Sequence, residues 1–147
     1  MSFSDFPDDP ILVAKMINSR RDDNMLGALG IEVIEAGKDK VVGTMPVGPK
    51  TRQPEGFLHG GASVTLAEAL ASIGGWLNVN RETHSAMGLE INANHLRPKR
   101  DGVVTGEAVP LHRGRNTQVW EIKIYDEERK LICISRCTVA AVERKNS

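Results

Sequence analysis

Glu68 is the single charge among the eighteen residues from Gly60 to Leu77, a run that reads as a helix apolar on nearly all sides. An ionised carboxylate in such surroundings is costly unless it is paired or hydrogen-bonded. No Lys or Arg stands within four residues to neutralise it. The flanks Leu66, Ala67, Ala69, Leu70 and Ala71 leave it no polar stripe, whereas Ser72, four residues on, shares its face and is placed to hydrogen-bond it. A carboxylate so placed suits general-base or nucleophilic chemistry. The plainer reading is a glutamate on a solvent-facing stripe, or one paired to a distant strand.

The start of the same helix, Phe57-Leu58-His59-Gly60-Gly61-Ala62, has no Ser, Thr, Asp or Asn just before Gly60 to cap the first turn. Free N–H groups there, with the helix dipole behind them, would polarise a carbonyl or hold an oxyanion, and two glycines permit close approach. An ordinary flexible Gly-Gly turn, with His59 as a loop histidine, is the bland alternative. Gly60 and Glu68 are eight residues apart, about 12 Å along a helix axis. They cannot reach one carbonyl within a single helix. If both act on one substrate, a second copy of the chain must bring its Glu68 to the first copy's helix start, which requires a homodimer with antiparallel central helices.

The strand Met87-Gly88-Leu89-Glu90-Ile91-Asn92-Ala93-Asn94-His95-Leu96-Arg97-Pro98 supplies a third feature. Alternation puts Leu89, Ile91, Ala93 and His95 on one face, so His95 ends an apolar row facing the helix. It is either a satisfied core histidine or a site residue. Arg97, Lys99 and Arg100 follow, with Arg113 and Arg115 after the next strand. Clustered at neighbouring strand ends, these bases would suit a phosphorylated ligand such as coenzyme A, or else form a solvated surface.

These residues need a scaffold of one helix and several strands. Pro10 behind Asp8 and Asp9 signals a helix start, and the cluster Arg20 to Asn24 ends it. Residues 31–36 and 40–47 read as a hairpin, and 85–96, 103–111, 116–126 and 130–142 as strands separated by turn signals. A helix apolar all round must be enclosed. The pattern predicts an α+β architecture in which a curved antiparallel sheet wraps a central helix, the hot-dog fold.

Composition sets the outer limits. The 147 residues carry 19 Lys+Arg and 19 Asp+Glu, so one domain is expected and a dedicated nucleic-acid binder is not. The balance hides unlike parts: residues 95–115 hold five bases against two acids, a local +3 offset elsewhere, partly by Asp5, Asp8, Asp9, Asp22 and Asp23. The first ten residues lack a basic segment and no long uncharged apolar run occurs, so neither a secretory signal nor a membrane span is expected. Cys133 and Cys137, about 13 Å apart on an extended strand, cannot bridge each other and have no metal-site spacing. They read as buried free thiols of a cytoplasmic protein.

The run from Gln53 through His59-Gly60-Gly61 to Glu68, with GLEINANHLRP and PLHRGRNTQVWEI, resembles the hot-dog acyl-CoA thioesterases that carry a glutamate on the central helix. That branch includes 4-hydroxybenzoyl-CoA thioesterases of the Arthrobacter type, 1,4-dihydroxy-2-naphthoyl-CoA thioesterases of menaquinone synthesis and the proofreading thioesterases of enterobactin synthesis. The likeness is greatest to the dihydroxynaphthoyl-CoA members and begins near residue 24, so residues 1–23 are a variable, helical extension of a single domain. The resemblance implies that Glu68 is nucleophile or general base and that the Gly60 N–H polarises the thioester carbonyl. It implies that Gln53 and His59 position thioester or water, and that Ser72 supports Glu68 or the water. Contacts to the CoA thioester would come from Gly61, Gly88, His95, Leu96, Arg97 and Pro98, and from His112, Arg113, Gly114, Arg115, Asn116 and Thr117. No metal or separate cofactor is implied, since coenzyme A is part of the substrate. The expected assembly is a homodimer with shared active sites, pairing into a dimer of dimers, and an acyl-carrier-protein thioester is the alternative substrate. The phenylacetyl-CoA branch carries aspartate in place of Glu68. A hot-dog dehydratase or hydratase, or a non-catalytic acyl-CoA-binding module, are the rival readings.

Overall fold

The computed structural model describes residues 6–145. Residues 1–5, part of the acidic stretch read as an extension, and residues 146–147 lie outside that range. Helix α1 (Pro10–Asn18) starts where Asp9 accepts the N–H groups of Ile11 and Leu12, with Pro10 in the first turn where its missing N–H is harmless. Val13 and Ala14 are its buried face. Asn18 ties its end to strand β1 (Glu32–Ala36) through reciprocal bonds to the Val33 backbone. A one-turn helix α2 (Met25–Ala28), capped by Asn24, was not anticipated.

Strand β2 (Val41–Pro46) returns from β1 as a hairpin, and the chain then runs through a loop into α3 (Gly60–Leu77). Strands β3 (His84–His95), β4 (Val103–Arg113), β5 (Thr117–Tyr125) and β6 (Leu131–Glu143) follow. The six form one antiparallel sheet in the order β1-β2-β4-β5-β6-β3, with α3 packed against all of them. This is the hot-dog arrangement.

Close contact between helix and sheet depends on paired glycines. Gly43 and Gly106 stand opposite each other on β2 and β4. A methyl at either would come within 2.7 Å of Leu70, so their bare backbone forms the notch that seats Leu66 and Leu70. Gly74 does the reverse, letting the fully buried Trp120 ring reach the helix backbone. Trp120 donates its indole N–H to Gln118, whose amide donates to the Gly75 carbonyl, so the buried polar atoms are satisfied.

Strand β3 departs from simple alternation. The register with β6 slips between Gly88 and Glu90. That irregularity takes Leu89 out of the inward row, leaving it 62% exposed, whereas Ile91 and Ala93 keep their packing on the core. β3 is also an edge strand, twelve residues long, with Met87 55% exposed. Cys133 and Cys137 are free and buried, and burial pushes both thiols up to about 11, with Glu68 and Glu90 adding to the effect at Cys137. Among the described residues no helix is long and apolar enough to cross a membrane.

Candidate active site

The start of α3 is held by a pinned loop. Thr51 accepts the Gly48 N–H and donates to the Pro46 carbonyl, while its own carbonyl accepts the His59 N–H. Leu58 N–H donates to the Lys99 carbonyl, and the Arg100 guanidinium lies 3.9 Å over the Phe57 ring. The segment after β3 is fixed in turn, since Leu96 N–H and Arg97 N–H both reach the Ile132 carbonyl.

His59 corrects the expectation of an uncapped helix. Its Nδ1 accepts the Gly61 N–H at 2.8 Å, doing what a Ser or Asp oxygen does elsewhere. The neutral ring therefore carries its proton on Nε2. The Gly60 N–H keeps no hydrogen-bond partner among the described residues. His95 lies directly over it, for a methyl at Gly60 would meet the His95 Nε2 at 2.8 Å. Gln53 sits in a tight turn in which its Oε1 accepts the Glu55 N–H, leaving the amide N–H groups to face other partners. Gln53, Phe57, Gly60, His95, Arg97 and Pro98 line one cleft of about 390 Å³, to which the buried Ser63, not singled out from sequence, also contributes.

Glu68 lies elsewhere. It lines a second groove of about 480 Å³ with Thr65, Ala69, Ser72 and Ile73 of α3 and with Asn24, Met25 and Leu26 around α2. No residue lines both this groove and the Gly60 cleft. Thr65, Glu68 and Ser72, at i, i+3 and i+7, form a polar stripe that was expected to be absent, and within one chain Glu68 is exposed rather than enclosed. Its carboxylate has no ion-pair or hydrogen-bond partner among the described residues, Ser72 included. Gly88, expected among the CoA contacts, lies against this carboxylate: a methyl there would meet Glu68 Oε1 at 2.8 Å.

The bases do not form one cluster. Lys99 bonds Glu127 at 2.7 Å, which raises its pKa above the ordinary lysine value. Arg113 bonds Asp39 at 2.7 Å and reaches the Lys38 carbonyl and Asn78, the residue that ends α3. Arg97, Lys99 and Arg100 therefore sit at the start of α3, and Arg113 at its far end, about 27 Å along an eighteen-residue helix. The expectation of neighbouring strand ends fails because β4 is long and runs the sheet's full height between them. His112, Gly114, Arg115, Asn116 and Thr117 are exposed on the β4–β5 hairpin at that far end, where Gly114 N–H closes onto the Thr117 carbonyl and Ala141 N–H onto that of Asn116. Leu96, though exposed, also lines the Gly60 cleft, and Gly61 is exposed on the first turn of α3.

One chain thus holds an unpartnered helix-start N–H in one cleft and, among the described residues, an unpaired carboxylate in another. Residues 55–133 match the thioesterase superfamily. The 1,4-dihydroxy-2-naphthoyl-CoA hydrolase of Escherichia coli (strain K12) is 46% identical over 129 residues, spanning 88% of this chain and 94% of that relative. The enzyme of the same name from Listeria monocytogenes is 50% identical over 117 residues, spanning 80% and 94%. A mutant thioesterase of Pseudomonas aeruginosa, solved crystallographically, superposes with a TM-score of 0.86 at 40% identity, covering 89% of this chain and 94% of that one. With the hot-dog sheet and central helix already in place, these likenesses are decisive: the chain belongs to the thioesterase superfamily and is a thioester hydrolase.

Proposed function

We propose that the protein hydrolyses an aromatic acyl-CoA, of the hydroxybenzoyl or dihydroxynaphthoyl kind, to the free acid and CoA, in active sites shared between two subunits. The observation that carries this reading is the separation of the Gly60 cleft from the Glu68 groove on one chain. Each half lacks what the other holds. The bare edge of β3, with exposed Met87 and Leu89, invites pairing with the same strand of a second copy. Two-fold pairing there runs the two α3 helices antiparallel on one face of a continuous sheet. It brings one subunit's helix start toward the other's Glu68, and the 95–98 segment toward the other's 112–117 hairpin.

In that site the Gly60 N–H, at the positive end of α3, accepts charge developing on the thioester oxygen. The Gln53 amide, in the same cleft, is a further donor, and His59 holds the helix start through its bond from the Gly61 N–H. Either Glu68 attacks the carbonyl carbon, expelling CoA thiolate and leaving an acyl anhydride on its carboxylate that water then hydrolyses to the free acid, or it removes the proton of a water that attacks directly, and the C–S bond breaks to give free acid and CoA thiolate. Thiolate is a good leaving group, so no strong general acid is needed. The E. coli and Listeria relatives, named for dihydroxynaphthoyl-CoA, support the aromatic acyl group. Thiol release measured over a panel of aromatic, hydroxyaromatic and aliphatic acyl-CoAs tests this. Preference for aromatic thioesters is expected, with hydrolysis lowered by at least about a hundredfold in Glu68→Gln; near-wild-type hydrolysis in that variant contradicts it.

A further inference from the structure

The Glu68 groove does not end at Ser72. A second hollow, of about 310 Å³, shares Asn24 and Leu26 on one wall and Ser72 and Ile73 on the other, and continues along α3 to Trp76. The two are successive lengths of one groove. Beyond Ser72 its lining is mainly Met16, Ile17, Leu26, Ile73, Trp76 and Phe6, with Arg20 and Asn24 as the polar members. The apolar majority of that lining suits an apolar acyl group better than the polar pantetheine arm of a CoA.

Phe6 lines the far end. Phe6 packs edge-on against Trp76 with ring centres 4.7 Å apart, and the Arg81 guanidinium lies over both rings, 5.0 Å from Trp76 and 5.7 Å from Phe6. These contacts fasten Phe6 in place. Phe6 also lines a further hollow of about 370 Å³ on its other side, bounded by Val13, Leu77 and Arg81. It is thus a partition between the acyl groove and empty space.

We infer that Phe6, fastened on Trp76 and Arg81, is the end wall of the acyl groove and sets the maximum length of acyl group the enzyme accepts. This rests on the reading of Glu68 as the reacting group. From Glu68 to Trp76 is eight residues, about 12 Å of helix. An apolar acyl group reaching the wall fits, and a longer one meets the Phe6 ring. Phe6 is therefore a specificity element rather than part of an appendage.

The test is kcat/KM over straight-chain acyl-CoA thioesters from four to sixteen carbons, for wild type, Phe6→Ala and Phe6→Trp. Wild type should show a sharp upper limit. Phe6→Ala should raise the ratio of long-chain to short-chain kcat/KM by about tenfold or more, the scale of one methylene in a closed apolar pocket. Phe6→Trp should move the limit to shorter chains or leave it in place. Identical length profiles for the three enzymes would overturn the inference, as would a limit that moves the same way in both variants. Failure of the wild type to release thiol from any acyl-CoA would overturn the underlying reading instead.

Discussion

Replacing Gly88 by alanine tests the role of Glu68 without touching Glu68. Gly88 lies on β3 with negative φ, so alanine adopts its backbone without strain. An added Cβ would meet one side-chain group, the Glu68 carboxyl, with Oε1 at 2.8 Å and Cδ at 3.9 Å. Ordinary contact starts at 3.4 Å, so the carboxylate must move by about 0.6 Å. A misplacement of about 1 Å at a reacting centre costs about a hundredfold in rate. The expected loss in kcat is accordingly between about tenfold and a hundredfold. Stability should hold or rise, because alanine restricts the unfolded chain more than glycine does, by about 0.4–1 kcal/mol. Steady-state thiol release and a thermal melt read the two effects separately. On a Glu68→Gln background the same substitution should add nothing further to the loss, since both act through one group. Undiminished kcat in Gly88→Ala, or full additivity with Glu68→Gln, would refute the argument.

Glu68→Gln alone should lower kcat by about 10²–10⁴-fold with an unchanged melting temperature, because the side chain is exposed and has no partner to lose within the chain. Gly74→Ala should destabilise by about 1–3 kcal/mol in urea unfolding, since its Cβ would fall 2.4 Å from the buried Trp120 ring, which has no room to retreat. The buried thiols predict a loss of stability in alkali. Their folded pKa of about 11 lies above the ordinary 9.0. Their contribution is therefore complete below pH 9 and falls away as pH rises toward 11, by up to ~3 kcal/mol per thiol. Unfolding curves at pH 8 to 11 should show a smaller decline in a Cys133→Ala/Cys137→Ala double variant; parallel curves would count against it.

Periodicity made the scaffold legible. One apolar run with a single charge became α3 with the bounds expected, and β-branched runs between turn signals became the six strands. Glu68 was legible as an anomaly of charge. What surrounds it was not, because burial depends on which elements cover a face, and the Thr65–Glu68–Ser72 stripe is open within one chain. That stripe was nonetheless present in the i, i+3, i+7 spacing. His59 was overlooked as a cap because imidazole is a less usual acceptor there than a hydroxyl or carboxylate. The basic residues were misjudged because nearness in sequence says nothing of sheet order: β4 carries Arg113 to the opposite end of α3 from Arg97. Leu89 was misplaced because a one-residue slip against β6 cannot be read from alternation. The short α2 left only Asn24 as a capping signal, and with it the groove wall formed by Asn24, Met25 and Leu26 went unseen.

The central claim is that each active site takes its polarising donor from one subunit and its carboxylate from the other. Gly60→Pro disables the cleft of its own chain: it removes the Gly60 N–H where the preceding residue is already extended at φ −68°, ψ 130°, and its Cβ would press on the His95 ring, 2.8 Å from Nε2. Paired with itself, this variant should lose about 10²–10³-fold in kcat, and Glu68→Gln should be similarly impaired. Co-expressed with separate affinity tags and purified as a mixed dimer, the two complement each other if the site is shared, because one of the two sites then regains both groups. Thiol release near half the wild-type rate per dimer is the predicted result. A mixed dimer no more active than its two parents would place both groups on the same chain and contradict the account.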